Sequence, residues 1–97
     1  MAEDDRELTR ADFERALPRR QRERIVRGEL RDGGDVIALR RFTGLTQQAF
    51  ADALGISVHT LRNWEQDRRR PEGPALALLR IAARHPGVLR ENLTANA

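Results

Sequence analysis

The chain has 97 residues, enough for one small domain with an extension, and it contains no cysteine, which excludes disulfides and thiolate metal sites. His59 and His85 are too far apart for a local ligand pair, and no apolar run approaches the roughly 18 residues of a membrane span, so we expect an intracellular protein without metal or cofactor. All 18 basic side chains are arginine, and the net charge of +3 comes entirely from residues 35–97, which favours an anionic partner such as nucleic acid.

The first third of the chain, residues 1–34, is predicted to be a weakly structured extension. Thr9 can start a short helix that Pro18 must end or kink. Charged side chains dominate residues 19–31, and the two glycines that follow predict a flexible break, where we place the domain boundary. Such a segment buries too little to fold alone, so it is either a solvated, disordered tail or it becomes ordered on a partner. The apolar side chains available to that partner are Phe13, Leu17, Ile25, Val26 and Leu30.

The domain itself is predicted to span residues 35–93 and to begin with a helix. Asp35 is the N-cap candidate, and the helix runs to about Thr43. Gly44 follows as its terminator, because glycine enters the left-handed conformation at a helix end without a steric clash.

Residues 46–66 have the pattern of a DNA-binding helix-turn-helix. Apolar side chains occupy the positions where two helices joined by a tight turn face their core, namely Phe50, Leu54, Ile56, Leu61 and Trp64. Ala51 is small where the helices cross, Gly55 suits the turn, and Thr46 and Ser57 can cap the two helices. In an ordinary helical hairpin, these apolar, small, turn and capping residues would coincide only by accident. We therefore interpret the segment as a DNA-binding helix-turn-helix.

A fourth helix is predicted from Pro74 to about Arg84. Only Arg80 is charged between Ala75 and Ala83, so this helix is apolar nearly all round and needs a second buried surface. A two-fold mate is the most economical candidate, because helix-turn-helix proteins commonly place two recognition helices one DNA turn apart. The residues assigned to the dimer interface are Leu76, Leu79, Arg80, Ala83 and Leu89.

A short last helix closes the predicted core. The break at His85-Pro86 ends the fourth helix, and the spacing of Val88, Leu89 and Leu93 favours one more helix after it. Residues 94–97 are expected to be frayed.

The residues Gln47, Ala51 and Gly55 and the run from Thr60 to Gln66 resemble the lambda-repressor-like (XRE) helix-turn-helix family. The stretch from Thr60 to Leu89 further resembles the HigA-type antitoxins of bacterial type II toxin–antitoxin operons. The resemblance implies an all-α, lambda-repressor-like five-helix domain with a partly disordered or short-helical N-terminal extension. It also implies a homodimeric antitoxin that binds double-stranded operator DNA, represses its own operon and neutralises a co-encoded toxin, commonly a HigB-like messenger RNA endonuclease.

The family's site positions can be carried over residue by residue. Base-reading candidates at the start of the recognition helix are Ser57, Val58, His59, Thr60, Arg62 and Asn63. Phosphate candidates are Gln47, Gln48, Arg68, Arg69 and Arg70. Many relatives have glycine where this chain has Asp67, and aspartate tolerates the left-handed conformation better than most residues, so we expect the turn to survive. Trp64 is predicted to lie in the core, and Glu65 to hold the following turn.

Three alternatives stand beside the antitoxin interpretation. The first is a stand-alone repressor of the same family with no toxin partner. The second is a small nuclease, which has little support because no catalytic constellation, such as paired acids at metal spacing or a histidine with a base partner, can be named. The third is an RNA-binding module, which needs exposed aromatic side chains for stacking, and Phe13 is the only aromatic residue outside the predicted core. We therefore expect no enzyme, no membrane association and no small-molecule substrate, and a cytoplasmic, nucleoid-associated location.

Overall fold

The computed structural model describes residues 17–96, and this part of the chain contains six helices and no strand. The helices are α1 (Arg19–Val26), α2 (Gly33–Thr43), α3 (Gln47–Leu54), α4 (Val58–Glu65), α5 (Pro74–Arg84) and α6 (Gly87–Asn96). The all-α prediction is confirmed, and one helix, α1, lies within the segment that the sequence predicted to be an extension. The helix predicted to start at Thr9, together with Phe13, lies outside the described residues.

The ends of α3 and α4 are formed by the residues that the sequence indicated. Thr46 Oγ1 accepts a hydrogen bond from the amide of Ala49 at 3.1 Å, and Ser57 Oγ accepts one from the amide of Thr60 at 3.0 Å. Gly55 ends α3 with a φ of 74°, the left-handed conformation that lets the chain turn sharply into α4. These local interactions fix the angle between the two helices of the motif.

The start of α2 differs from the prediction. Asp32 is its N-cap, and its carboxylate accepts from the amide of Gly34 at 2.9 Å. Asp35, the predicted cap, lies inside the helix, where its side chain is 3% exposed. The prediction of a flexible break at the two glycines is wrong. Gly33 and Gly34 form the first turn of α2, and Gly33 is buried. The helix ends as predicted, with Thr43 followed by Gly44 at a φ of 79°.

The described part of the extension is packed onto the domain. Leu17, Ile25 and Leu30 are buried, with Ile25 fully inaccessible. Asp35 holds α1 against α2, because its carboxylate accepts from Arg24 Nη2 at 2.6 Å, from Gln21 Nε2 at 2.8 Å and from the amide of Arg31 at 2.8 Å. Residues 17–32 are therefore a structural layer of the fold and not a solvated tail.

Arginine side chains complete the contact between α1 and α5. Arg22 Nε donates to the carbonyl of Ala83 at 2.8 Å, and Arg80 Nε donates to the carbonyl of Val26 at 3.0 Å. Arg22 thus bonds to the last turn of α5, and Arg80 bonds to the last residue of α1. The carbonyls at a helix C-terminus lack helical partners, and the helix dipole favours positive charge there. The arginines that made α1 look solvated are thus part of its packing.

The apolar surface of α5 is divided between the core and solvent. Leu79 and Ala83, and Leu89 of α6, are buried in the core of the protein itself, and Arg80 bonds to α1. The large apolar side chains left at the surface of the described residues are Leu78, Ile81 and Val88, at 39%, 45% and 38% exposure. The five residues predicted for a dimer interface therefore do not form an exposed apolar face, since Leu76 is also half-buried against the core.

The last helix is longer than expected. α6 begins after the predicted break at His85-Pro86 and continues to Asn96, through most of the segment expected to be frayed. Asn92 Nδ2 donates to the carbonyl of Ala53 at 2.7 Å, which holds α6 against α3. Within residues 17–96, no helix has the length and apolar character needed to span a membrane.

Candidate DNA-binding surface

The N-terminal half of α4 presents a row of polar side chains to solvent. Ser57, His59 and Arg62 are exposed, whereas Val58, Thr60 and Asn63 are half-buried. Leu61 and Trp64, on the opposite side of the helix, are buried, and this confirms the prediction for Trp64. The helix therefore has one face in the core and one face available to a ligand, and all six base-reading candidates lie on or beside the open face.

Two of these six side chains also stabilise the helix start. Ser57 Oγ accepts from the Thr60 amide and donates to Thr60 Oγ1 at 3.0 Å. An N-cap serine contributes about 1 kcal/mol to helix stability, so the Ser57 side chain stabilises the start of α4. Within the described residues, His59 and Asn63 are the polar side chains of the row that make no side-chain hydrogen bond, whereas Arg62 contacts Gln47 of α3.

A buried ion pair supports the row from behind. The side chain of Glu65 is 5% exposed and pairs with Arg40 of α2 at 2.8 Å. The Glu65 carboxylate also accepts a hydrogen bond from Gln47 Nε2 at 2.9 Å. Gln47 Oε1 in turn accepts a hydrogen bond from Arg62 Nε at 3.5 Å. This chain of contacts joins α2, α3 and α4 and holds Gln47 and Arg62 in a fixed relation at the surface.

The prediction for Glu65 was therefore incomplete. Its carboxylate contacts two other helices, and no bond from it to the following turn is seen among the described side chains. The partner Arg40 lies 25 residues away in sequence. Nothing in a local pattern shows such a pairing, and only the crossing of α2 over α4 brings the two groups together.

The loop after α4 is tied to the start of α2. The carbonyl of Asn63 accepts from the amides of Arg68 and Arg69 at 2.9 and 3.3 Å. Asp67 adopts a φ of 63°, the left-handed conformation predicted for it, and its carboxylate accepts a hydrogen bond from the Gly33 amide at 2.7 Å. Arg70 donates to the carbonyls of Leu30 and Arg31.

The five phosphate candidates therefore differ in whether their side chains are already hydrogen-bonded within the protein. Arg68 and Arg69 are exposed, and in the described part of the chain their hydrogen bonds are those of their backbone amides to the Asn63 carbonyl. The guanidinium of Arg70 is occupied by the segment before α2, and Gln47 is occupied by Glu65. Gln48 is exposed and bonds to Asp52 one turn along at 3.0 Å. The structure thus favours Arg68 and Arg69 as the cations with most reach at this surface.

Comparison with known proteins places this geometry in a family. The family model described as a helix-turn-helix domain matches residues 4–93, which is most of the chain. The chain belongs to the helix-turn-helix domain family. Among curated proteins, the antitoxin HigA-2 of Vibrio cholerae is 40% identical over 63 residues, which cover 64% of this chain and 61% of that protein. The uncharacterized HTH-type transcriptional regulator YiaG of Escherichia coli K12 is 33% identical over 57 residues, 59% of each chain.

These matches confirm the XRE-type helix-turn-helix resemblance and extend to both of its branches, an antitoxin and a transcriptional regulator. The chain spans about three fifths of the length of each of these curated relatives. No solved structure gives a significant match to the chain.

Proposed function

We propose that the protein is the antitoxin of a type II toxin–antitoxin pair, which neutralises a co-encoded, HigB-like toxin and represses its own operon as a homodimer. The observation that carries the proposal is the 40% identity to the antitoxin HigA-2. The proposed location is the cytoplasm, at the nucleoid, and the protein has no catalytic role of its own. A stand-alone repressor without a toxin is the second candidate, and the similarity to YiaG favours it.

DNA recognition is assigned to the open face of α4. Asn63 can bond bidentately to adenine, His59 can donate to guanine, Val58 can contact a thymine methyl, and Arg62 can reach guanine or phosphate. The guanidinium groups of Arg68 and Arg69 extend from the loop behind α4 and suit the phosphate backbone. Base contacts then provide sequence specificity, and the two loop arginines provide affinity that falls with salt.

Replacing Asn63 with alanine is expected to weaken binding to the cognate operator by about 1 to 3 kcal/mol and to change binding to random DNA little. Replacing Arg69 with alanine should weaken both and reduce the slope of log affinity against log salt by about one unit. Fluorescence anisotropy titrations of both duplexes at several salt concentrations measure this. Equal losses on the two duplexes for the Asn63 variant would remove it from the base-reading residues.

Dimerisation is assigned to the exposed apolar face of α5. Leu78 and Ile81 are one turn apart on this helix, and both are more than a third exposed. Apolar side chains of this size are usually buried, so a two-fold mate that covers them gains hydrophobic free energy.

A glutamate at Ile81 is expected to raise the dimer dissociation constant at least about tenfold without unfolding the protein, because it places a charge in the proposed interface. Gln66→Glu adds the same charge at an exposed residue of the loop after α4 and serves as the control. Sedimentation equilibrium measures the constants, and circular dichroism checks the fold. An unchanged dissociation constant in the Ile81 variant would place the interface elsewhere.

The toxin-binding surface is assigned to the N-terminal part of the chain. The candidate toxin contacts are the five apolar side chains that the sequence offers to a partner, Phe13, Leu17, Ile25, Val26 and Leu30. Of these, Leu17, Ile25 and Leu30 are buried in the core, and Val26 is half-buried. A toxin that leaves the core intact can therefore contact Val26, and the proposed contact through Phe13 lies outside the described residues. Deletion of the whole extension would remove core residues, so the informative deletion is that of residues 2–16.

The test is co-expression with the product of the adjacent gene, scored by growth and by binding to the shared promoter. A stable complex that restores growth supports the antitoxin, and its loss on deleting residues 2–16 supports the assigned surface. The Asn63→Ala variant is the matched control, because it should bind the promoter more weakly and still restore growth. Promoter binding with no complex and no growth effect would replace the antitoxin with the stand-alone repressor.

A further inference from the structure

The side chain of Gln47 lies between two groups that together determine which way its amide points. Gln47 Nε2 donates to Glu65 Oε1 at 2.9 Å, and Gln47 Oε1 accepts from Arg62 Nε at 3.5 Å. An ionised carboxylate only accepts hydrogen bonds, and a guanidinium only donates them. Rotating the amide by half a turn would therefore break both bonds. Gln47 thus presents its oxygen, and not its amino group, to Arg62.

The buried ion pair behind Gln47 keeps this orientation fixed. Arg40 Nε donates to Glu65 Oε2 at 2.8 Å, and Arg40 Nη2 donates to Glu65 Oε1 at 3.4 Å, so both carboxylate oxygens are held. The side chains of Arg40 and Glu65 are only 17% and 5% exposed, and a hydrogen bond shielded from water is stronger than an exposed one. The oxygen of Gln47 is therefore an oriented acceptor beside α4.

Arg62 is the side chain that this acceptor orients. Its Nε donates to Gln47, and its terminal amino groups make no hydrogen bond to any residue that the structure describes. Arg62 is exposed and comes three residues after His59, so the two side chains are neighbours on the open face of α4. The planar fork of a guanidinium matches O6 and N7 of guanine, but only in the plane of the base. A guanidinium that is already oriented loses less freedom when it binds such an edge.

We propose that Gln47 is a positioning residue for Arg62, and that Arg62 reads a guanine in the operator. The proposal rests on the proposed function of sequence-specific DNA binding, and it changes the role of Gln47 from a phosphate ligand to a residue that acts through another side chain. A phosphate ligand contributes to the binding of every sequence, whereas a positioning residue for Arg62 affects the preference at one base pair. The two roles therefore predict different results for the same variant.

Base preferences measured at single positions test the proposal. The full-length protein selects its binding site from a random pool of duplex DNA, and duplexes with each of the four base pairs at each position are then titrated. Wild type should prefer guanine by about 5- to 150-fold at the position where Arg62→Ala has no preference. Gln47→Met keeps the length and helix propensity of the side chain but removes both bonds. It should reduce that preference at least about fivefold and leave the other positions unchanged.

Gln48→Met is the matched control, because it makes the same change at the next residue. Gln48 is exposed, and its side chain bonds to Asp52 of its own helix at 3.0 Å, so the preference for guanine should be retained. Equal losses on all four base pairs for Arg62→Ala or Gln47→Met, or an unchanged preference in Gln47→Met, would overturn the proposal. Wild-type protein that selects no sequence at all would overturn sequence-specific DNA binding, and the proposal with it.

Two further measurements show whether Gln47 acts through Arg62. In the Arg62→Ala background, Gln47→Met should cause no further loss of affinity, because nothing is left to orient. In the protein without DNA, the NMR signal of the Arg62 Nε–H group should shift in Gln47→Met and stay unchanged in Gln48→Met, while circular dichroism checks the fold. A full loss from Gln47→Met in the absence of the Arg62 side chain would show that Gln47 contacts DNA itself and would overturn the positioning role.

Discussion

Replacing Asp35 with asparagine is expected to lower the free energy of unfolding by about 3 to 5 kcal/mol. The carboxylate is 3% exposed and accepts three hydrogen bonds, one of them from Arg24, which is itself only 14% exposed. Asparagine has nearly the same size, so no cavity forms, but it leaves a buried guanidinium without its counter-charge and directs an amide donor at other donors. Urea denaturation followed by circular dichroism measures the loss.

The surface pair between Arg27 and Glu29 provides the control for this prediction. Its nitrogen and oxygen are 3.2 Å apart, and both side chains are more than half exposed. Exposed pairs contribute about 0 to 1 kcal/mol, so Glu29→Gln should have a small effect. Similar losses in the Asp35 and Glu29 variants would show that the buried pair does not hold α1 to α2.

The same carboxylate predicts how stability depends on pH. Burial by itself raises the pKa of Asp35, but the hydrogen bonds from the Arg31 amide, Gln21 and Arg24 outweigh it and hold the pKa below the ordinary value of 3.8. A lowered pKa contributes stability at pH values above 3.8, and this contribution is lost as the pH falls through the lower value of the folded state. The difference in unfolding free energy between wild type and Asp35→Asn should therefore narrow as the pH falls below 3.8. A constant difference down to pH 2 would contradict it.

Replacing Gly33 with alanine is expected to destabilise the protein by about 3 kcal/mol and to weaken operator binding more than tenfold. A Cβ on Gly33 would lie 2.3 Å from the carbonyl oxygen of Glu65 and 2.6 Å from that of Trp64. These are backbone atoms at the C-terminal end of the recognition helix, so relief requires α2 and α4 to separate. Separation would also break the bond between the Gly33 amide and Asp67.

Gly87 offers a matched control, because it is also the first residue of a helix but its added Cβ would meet no atom within 4 Å. Gly87→Ala should be neutral or stabilise by about 0.5 kcal/mol, through the lower entropy of the unfolded chain. Thermal unfolding and operator titration of the two variants measure the contrast. Wild-type behaviour in the Gly33 variant would show that the close approach of α2 and α4 is not required.

The parts of the fold predicted from sequence are those that local chemistry determines. The caps at Thr46 and Ser57, the turns at Gly44 and Gly55 and the left-handed Asp67 each depend on residues a few positions apart. The buried side of the recognition helix follows in the same way from the helical spacing of its apolar residues. The open face was therefore predictable as a surface, although its contacts with bases stay a prediction.

The parts that were missed depend on contacts between residues distant in sequence. Arg22 bonds to a carbonyl 61 residues away, and Arg24 bonds to a carboxylate 11 residues away, so an arginine-rich segment that looked solvated is part of the core layer. Leu79 and Leu89 looked available for a dimer because their neighbours in the fold, including α1, could not be known from spacing. Helical periodicity shows which side chains share a face, but not which partner covers that face.

The side chain of Arg70 has one further consequence. It donates hydrogen bonds to the carbonyls of Leu30 and Arg31. The loop after α4 and the segment that leads into α2 are therefore expected to move together. A molecule that binds the N-terminal segment and displaces Leu30 would break the bonds of Arg70 and change the positions of Arg68 and Arg69 in this loop. Linkage is reciprocal: whatever factor such a molecule imposes on operator affinity, the operator imposes on the affinity for that molecule.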